Sequence, residues 1–290
     1  MLEFIYCFVD EFCKDFLPLW QSYLLEPKIN KRNRSSTMSV SEIMTILILF
    51  HQSHYRNLKH FYLTHICKNM HDAFPNCVSY NRFVELQKSV LVPLCFLAHM
   101  LKGEQTGIYF IDSTVIKVCH IKREKQNKVF EGLAKKSKST MGWFYGFKLH
   151  LVVNDKGEIM AFKLTDALTD DRCYVDELTK NLTGKLVGDK GYIKHELSEQ
   201  LLQRGLQLIT RIKKNMKKGL LSLIDKALLR KRAIIETVND QLKNISQIEH
   251  SRHRCQYNFM GNILCGIIAY CFQPKKPSID IRNDKEAIIL

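Results

Sequence analysis

The sequence predicts an α/β protein: a mixed sheet flanked by helices, preceded by an all-α region. Three observations predict it. Apolar residues recur at helical spacing up to about residue 100. Short apolar or alternating runs then follow, with the spacing of strands. Their order is three strands, then helix, strand, helix, strand and helix, which places helices on the faces of a partly parallel sheet.

The helical part opens with Leu2 to Leu25, where apolar residues recur at helical spacing. Residues 26–37 are basic and polar and are expected to form a loop or arm. Ser39 to Glu42 has the spacing of a capping box, and an apolar helix is predicted over 40–50. A further helix is expected from about Asn57 to Met70, with Pro75 beyond it, and Ser79 can cap the helix after that. The pair within 55–91 fits either a DNA-reading helix-turn-helix or a plain bundle. KGEQTG at 102–107 marks the change of pattern. The division expected is a helical region over 1–104, a second domain over 105–278, and a flexible tail over 279–290.

In the second part IYFIDST (108–114) is a short strand of buried type. FYGFKLHLVVN (144–154) and GEIMAFKLTD (157–166) form a hairpin turning at Asp155-Lys156-Gly157. A helix is expected over 171–181 and a strand over LVGDKG (186–191). Then come a helix over 195–205 that Gly205 stops, a strand over 206–212, and helix over 220–249 and 257–272. This order is the one found in ribonuclease-H-like nucleases.

Composition narrows the partners. At 46% hydrophobic and 25% charged residues the chain can bury a core. Its formal net charge of +15 suits a polyanion, nucleic acid before an anionic membrane, unless the charge serves only solubility. The ten cysteines include no C-x-x-C pair, and most lie in apolar runs, as core thiols of a reducing compartment do. The N-terminus lacks the basic start of a signal peptide. The longest uninterrupted apolar runs fall short of a membrane span, so no membrane association and a cytoplasmic location are expected.

Three carboxylates stand out. Asp112 is expected at the end of the first strand, at the sheet edge where ligands gather. Asp189 ends another strand between glycines that permit a sharp turn. Glu236 interrupts the apolar face of a predicted helix. Singly, each has an ordinary reading as a turn cap or an exposed helix edge. The predicted strand order makes the strands of Asp112 and Asp189 neighbours, with the helix of Glu236 across them. Three clustered carboxylates repel one another and so favour hard divalent cations, Mg²⁺ or Mn²⁺. Two such ions about 4 Å apart suit in-line attack on a phosphate.

Basic runs flank these acids. Residues 115–150 carry nine Lys or Arg against two acids, and 211–232 carry nine against Asp225 alone. Solvated surface is the ordinary reading of such runs, and phosphate tracking the functional one. Lys213, Lys214, Arg232 and Lys243 are the leading phosphate contacts, with Arg252 and Arg254 beside His250 and His253. Trp143, Phe144 and Tyr145 suit either base stacking or hairpin packing. The pairs His51-x-x-His54 and His250-x-x-His253 have no partners at zinc spacing. Asp170-Asp171 is expected to cap the next helix and not to hold metal.

The runs IDSTVIKVCH, KSKSTMGWFYGFKLHLVVN, LTDALTDDR, GDKGY and RKRAIIETVNDQLKNISQIEHSRHR together resemble the DDE transposases of bacterial insertion sequences, most closely insertion sequence family 982. The resemblance covers nearly the whole chain to about residue 279. It implies a ribonuclease-H-like core and a metal-binding, catalytic triad of Asp112, Asp189 and Glu236. It also implies two Mg²⁺ ions, terminal inverted repeats and target DNA as substrates, a homodimer or higher oligomer on DNA, and a nucleoid-associated bacterial protein. Arg232, Glu236 and Lys243 match a Tyr-Arg-Glu-Lys signature of the wider class. Leu229 stands where its tyrosine would, so that role does not carry over. Two rival functions remain at this point: an inactive DNA-binding descendant, and a ribonuclease-H-like repair nuclease.

Overall fold

The computed structural model describes residues 2–25, 36–211, 222–249 and 253–279. It divides into two compact units. One comprises residues 1–101 and 242–272, the other 102–241 and 273–290.

The first unit is helical. It contains α1 (Leu2–Leu25), α2 (Val40–Gln52), α3 (Leu58–His60), α4 (Tyr80–Leu86) and α5 (Leu91–Met100). A wider π-helical stretch, Phe61–Asn69, continues α3. The predicted capping box opens α2: Ser39 Oγ accepts from Glu42 N at 3.1 Å, and Glu42 Oε2 accepts from Ser39 N at 2.7 Å. Both bonds satisfy backbone donors that a helix start leaves free. Ile5, Val9 and Cys13, spaced by one turn, form the buried stripe of α1, which packs on α2. Ser79 caps α4 as expected. The helical run Tyr80–Met100 is long and apolar enough by composition to cross a bilayer, although no single apolar run in it is. Here its Phe83, Val90, Leu94 and Leu97 are buried.

Among the described residues the second unit holds six strands. These are β1 (Ile108–Cys119), β2 (Lys135–Ser139), β3 (Gly142–Asn154), β4 (Ile159–Asp166), β5 (Gly184–Gly188) and β6 (Leu206–Thr210). Strand β3 is antiparallel to β1, β2 and β4, whereas β5 is parallel to β1 and to β6. The order β4-β3-β1-β5-β6 is ribonuclease-H-like, and β2 is added beside the first residues of β3. This unit also contains helices α6 (Val175–Leu178), α7 (His195–Gln203), α8 (Leu223–Lys231) and α9 (Ala233–Asp240). Leu197 and Leu201 of α7 bury with Ile111, Val152, Leu186 and Val175 on one sheet face. Each such side chain contributes roughly 1.5–3 kcal/mol. Gly205, at φ +79°, ends the segment after α7 as predicted.

The structure departs from the sequence expectations at several points. Strand β1 does not stop at Thr114 but runs on to Cys119, because β3 pairs with it throughout, so Asp112 lies within the strand and not at its end as expected. β2 was not expected, since Lys-Lys-Ser-Lys-Ser carries no apolar alternation. The helix expected over 171–181 shortens to α6. The last helix, α10 (Gln256–Cys271), was assigned with the sheet; it packs against α2 and α5 of the helical unit. Its buried Ile263, Ile267 and Tyr270 belong to that core. The arm at 26–35 and the tail at 280–290 lie outside the described residues.

The β1–β3 contact tolerates no side chain at Gly146. A Cβ there would lie 2.1 Å from the Ile116 carbonyl oxygen, which is backbone of the paired strand. Gly146→Ala is therefore expected to cost about 1–3 kcal/mol, read as a lowered urea midpoint with an unchanged slope. An unshifted midpoint would mean that the strands part there without penalty.

Candidate active site

Parallel pairing brings the first two carboxylates level. Tyr109 pairs with Leu186 and Phe110 with Val187, and there the ladder ends. Asp112 and Asp189 each follow two residues later. They stand at equivalent positions where β1 and β5 diverge, on strands whose normal separation is about 4.8 Å. Ile111 faces the α7 side of the sheet, so Asp112 faces the other side, because side chains alternate along a strand. Asp189 leaves β5 with extended backbone and begins a single 3₁₀ turn, Lys190–Tyr192.

Helix α9 packs against β1 and brings the third carboxylate. Its buried face is Ile234, Ile235, Val238 and Asn239. Glu236 does not interrupt that face, as the sequence suggested. It lies beside it, with its side chain 55% exposed. One turn further on, Asn239 Nδ2 donates to Asp112 Oδ2 at 3.3 Å. Asn239 Oδ1 is buried and has no hydrogen-bond partner among the described residues. Sequence reasoning missed Asn239. The signal available was a polar residue inside an otherwise apolar face, three positions from Glu236.

Arg232 ties two of the acids together. Its Nη2 pairs with Glu236 Oε1, and its Nη1 lies 3.8 Å from Asp112 Oδ1. Burial pushes the Asp112 carboxyl up, to about 6. The Arg232 charge and the Ser113 N–H oppose that rise, while the carboxylates of Glu236 and Asp189 add to it. The three acids therefore share one electrostatic neighbourhood, which a cation relieves.

The donor set fits a hard divalent ion, being oxygen throughout. As the side chains stand, no three of the described His, Cys, Asp and Glu residues converge closely enough to enclose one. The guanidinium of Arg232 is the cation that Asp112 and Glu236 share here.

A second layer lies beside Asp112. Tyr192 is buried, and its hydroxyl is held well above the usual phenol range by burial first, then by the carboxylates of Asp112 and Asp171. Asp171 accepts from Lys148 Nζ at 3.0 Å, so it is not a helix cap. Asp170 caps its own turn, accepting from Arg172 N at 2.9 Å. Helix α6 starts only at Val175, without a side-chain cap.

Among the expected phosphate contacts, Lys213, Lys214 and Arg252 lie outside the described residues. Arg232 is turned onto the carboxylates. Lys243 lies 3.5 Å from Glu249 within the helical unit, and Arg254 is exposed. Phe144 and Tyr145 are buried, which removes them as stacking surfaces, while Trp143 stays exposed. In the helical unit His51 Nδ1 bonds to the Ser246 carbonyl, giving that histidine a structural partner.

A family model described as a transposase DDE domain matches residues 102–256, which is 155 of the 290 residues. No curated protein matches the chain. Among solved structures, a piggyBac transposase synaptic complex with hairpin DNA aligns at 10% identity with a TM-score of 0.48, covering 83% of this chain and 68% of that one.

Proposed function

Since the chain belongs to the transposase DDE domain family, we propose that it cleaves DNA at the ends of an insertion sequence and joins the freed ends to target DNA. The observation that carries this reading is the shared level of Asp112 and Asp189 on parallel β1 and β5, with α9 bringing Glu236 and Asn239 to the same side. Asp112, Asp189 and Glu236 serve as catalytic metal ligands, and two Mg²⁺ ions, or Mn²⁺ in their place, are the cofactors. Held by Asp112, Asp189 and Glu236, such ions would supply charge neutralisation at the attacked phosphate and activation of a water or 3′-hydroxyl.

The chain's own residues prepare that site. Strand pairing fixes Asp112 from the β3 side. Asn239 holds one of its oxygens and orients the other. Arg232 balances the carboxylates and steers Glu236. Substrate contacts come from Lys213, Lys214, Arg252 and Arg254, and association on DNA is as a dimer or larger assembly. No covalent protein–DNA link is needed.

The test uses DNA spanning the two ends that flank the protein's own gene. Incubation with Mg²⁺ or Mn²⁺ should give nicks confined to those ends, absent with EDTA. Binding to the ends without nicking in any metal would point to an inactive descendant. Cleavage of arbitrary branched DNA with no preference for the ends would point to a repair nuclease.

A further inference from the structure

Strands β2 and β3 form a hairpin whose tip is apolar, exposed and ringed by cations. The pair Ser139↔Gly142 closes a two-residue loop, Thr140-Met141. Gly142 adopts φ +104°, a conformation glycine reaches at no steric cost. Ser139 Oγ accepts from Met141 N at 3.2 Å and donates to the Gly142 carbonyl at 3.2 Å, which pins the turn. Met141 is 89% exposed and Trp143 58%. Exposed side chains of that size at a hairpin tip gain nothing for the fold.

The base of the hairpin is firm. Phe144 and Tyr145 are buried immediately after Trp143, and Tyr145 Oη donates to the Phe130 carbonyl at 3.2 Å. Lys138 lies directly across from Trp143 and so shares its face. Lys136 Nζ stands 5.4 Å from the centre of the Trp143 ring. Lys135 and Lys138 pair with no acid among the described residues, and Lys136 meets only Glu124, at 3.6 Å. β2 itself contains no acid.

A flat ring and a thioether beside unneutralised lysines match a polyanion that also offers apolar planes. DNA does so wherever a base leaves the stack: phosphates take the lysines and the base takes the indole. We infer that the β2–β3 hairpin is a DNA-docking wedge, with Met141 and Trp143 against an unstacked base and Lys136 and Lys138, on the same face as Trp143, on the flanking phosphates. This rests on the DNA reading given above and adds the element that meets distorted DNA.

The chain contains two tryptophans, so Trp20→Phe leaves Trp143 as the sole indole. That full-length protein is titrated with a blunt 30-base-pair duplex, with the same duplex flayed at one end, and with phosphatidylserine vesicles. The flayed duplex should quench the indole, and the quenching should reverse in high salt. Separately, Trp143→Ala should weaken binding to the flayed duplex on the order of tenfold. It should leave binding to the blunt duplex within about twofold and the melting temperature unchanged, because the side chain packs on little. Trp143→Phe should restore part of the loss. DNA binding with an unquenched indole and an unaffected Trp143→Ala variant would overturn the wedge and leave the DNA reading standing. Quenching by vesicles but not by DNA would replace the wedge with a membrane contact. Failure to bind either DNA would remove the proposed function together with the wedge.

Discussion

Asp189→Asn and Glu236→Gln are each expected to abolish metal-dependent nicking at the element ends, lowering its rate on the order of 10³-fold or more. Metal stabilisation of a phosphoryl transition state is worth several kcal/mol, and each 1.4 kcal/mol is about tenfold in rate. Both substitutions keep the side chain's shape and remove its charge. Both sites are exposed, so neither variant loses buried packing and each should melt within a degree or two of the wild type. That separates loss of chemistry from loss of fold. Asp112→Asn should be equally inactive, and in EDTA it should not melt earlier, because burial and two neighbouring carboxylates already oppose the Asp112 charge. DNA binding in EDTA should survive in all three. Cleavage that persists in Asp189→Asn and Glu236→Gln would mean that other residues hold the metal, and the level placement of Asp112 and Asp189 would lose its meaning.

What was legible in the sequence was the neighbourhood of the two aspartates, because each follows a short apolar run, although Asp112 proves to lie within β1 and only Asp189 at a strand end. Ile-Asp-Ser-Thr and Val-Gly-Asp-Lys-Gly each announce an apolar strand that meets a carboxylate, and strand order alone makes them neighbours. The capping box at Ser39 was legible for a similar reason, since it is a purely local contract between residues three apart. What was lost depended on partners distant in sequence. β1 extends past Thr114 only because β3 pairs with it as far as Cys119. β2 is a strand only because β3 lies beside it. α10 is apolar nearly all round, and such a helix says that it is buried without saying in which unit. Glu236 took the helix edge and not the apolar face expected of it, and the unanticipated amide of Asn239 took the buried face, where it meets Asp112. An amide can be buried against a carboxylate at far lower cost than a second charge.

Acid should destabilise the helical unit through His51. This side chain is buried, and its Nδ1 donates to the Ser246 carbonyl, so the neutral ring with a proton on Nδ1 suits the fold. Burial lowers its pKa from 6.5 to about 4, only partly opposed by the Ser246 bond. His253 is lowered to about 4 by burial and by the neighbouring His51. The sign follows from proton uptake. Below pH 6.5 the unfolded chain takes a proton that the folded His51 refuses until about pH 4. Stability is therefore fully present above pH 6.5, falls as pH drops through this window, and levels off below about 4. Between pH 7 and 4.5 the His51 contribution should be about 2–3 kcal/mol. His51→Gln keeps an N–H for the Ser246 carbonyl but cannot titrate. Urea unfolding of both proteins at the two pH values separates this from general acid repulsion, which the +15 charge imposes equally on each. The wild type should lose the larger amount on acidification, by that difference. Equal losses would show that His51 accepts its proton inside the fold, with the Ser246 carbonyl holding the imidazolium as readily as the neutral ring.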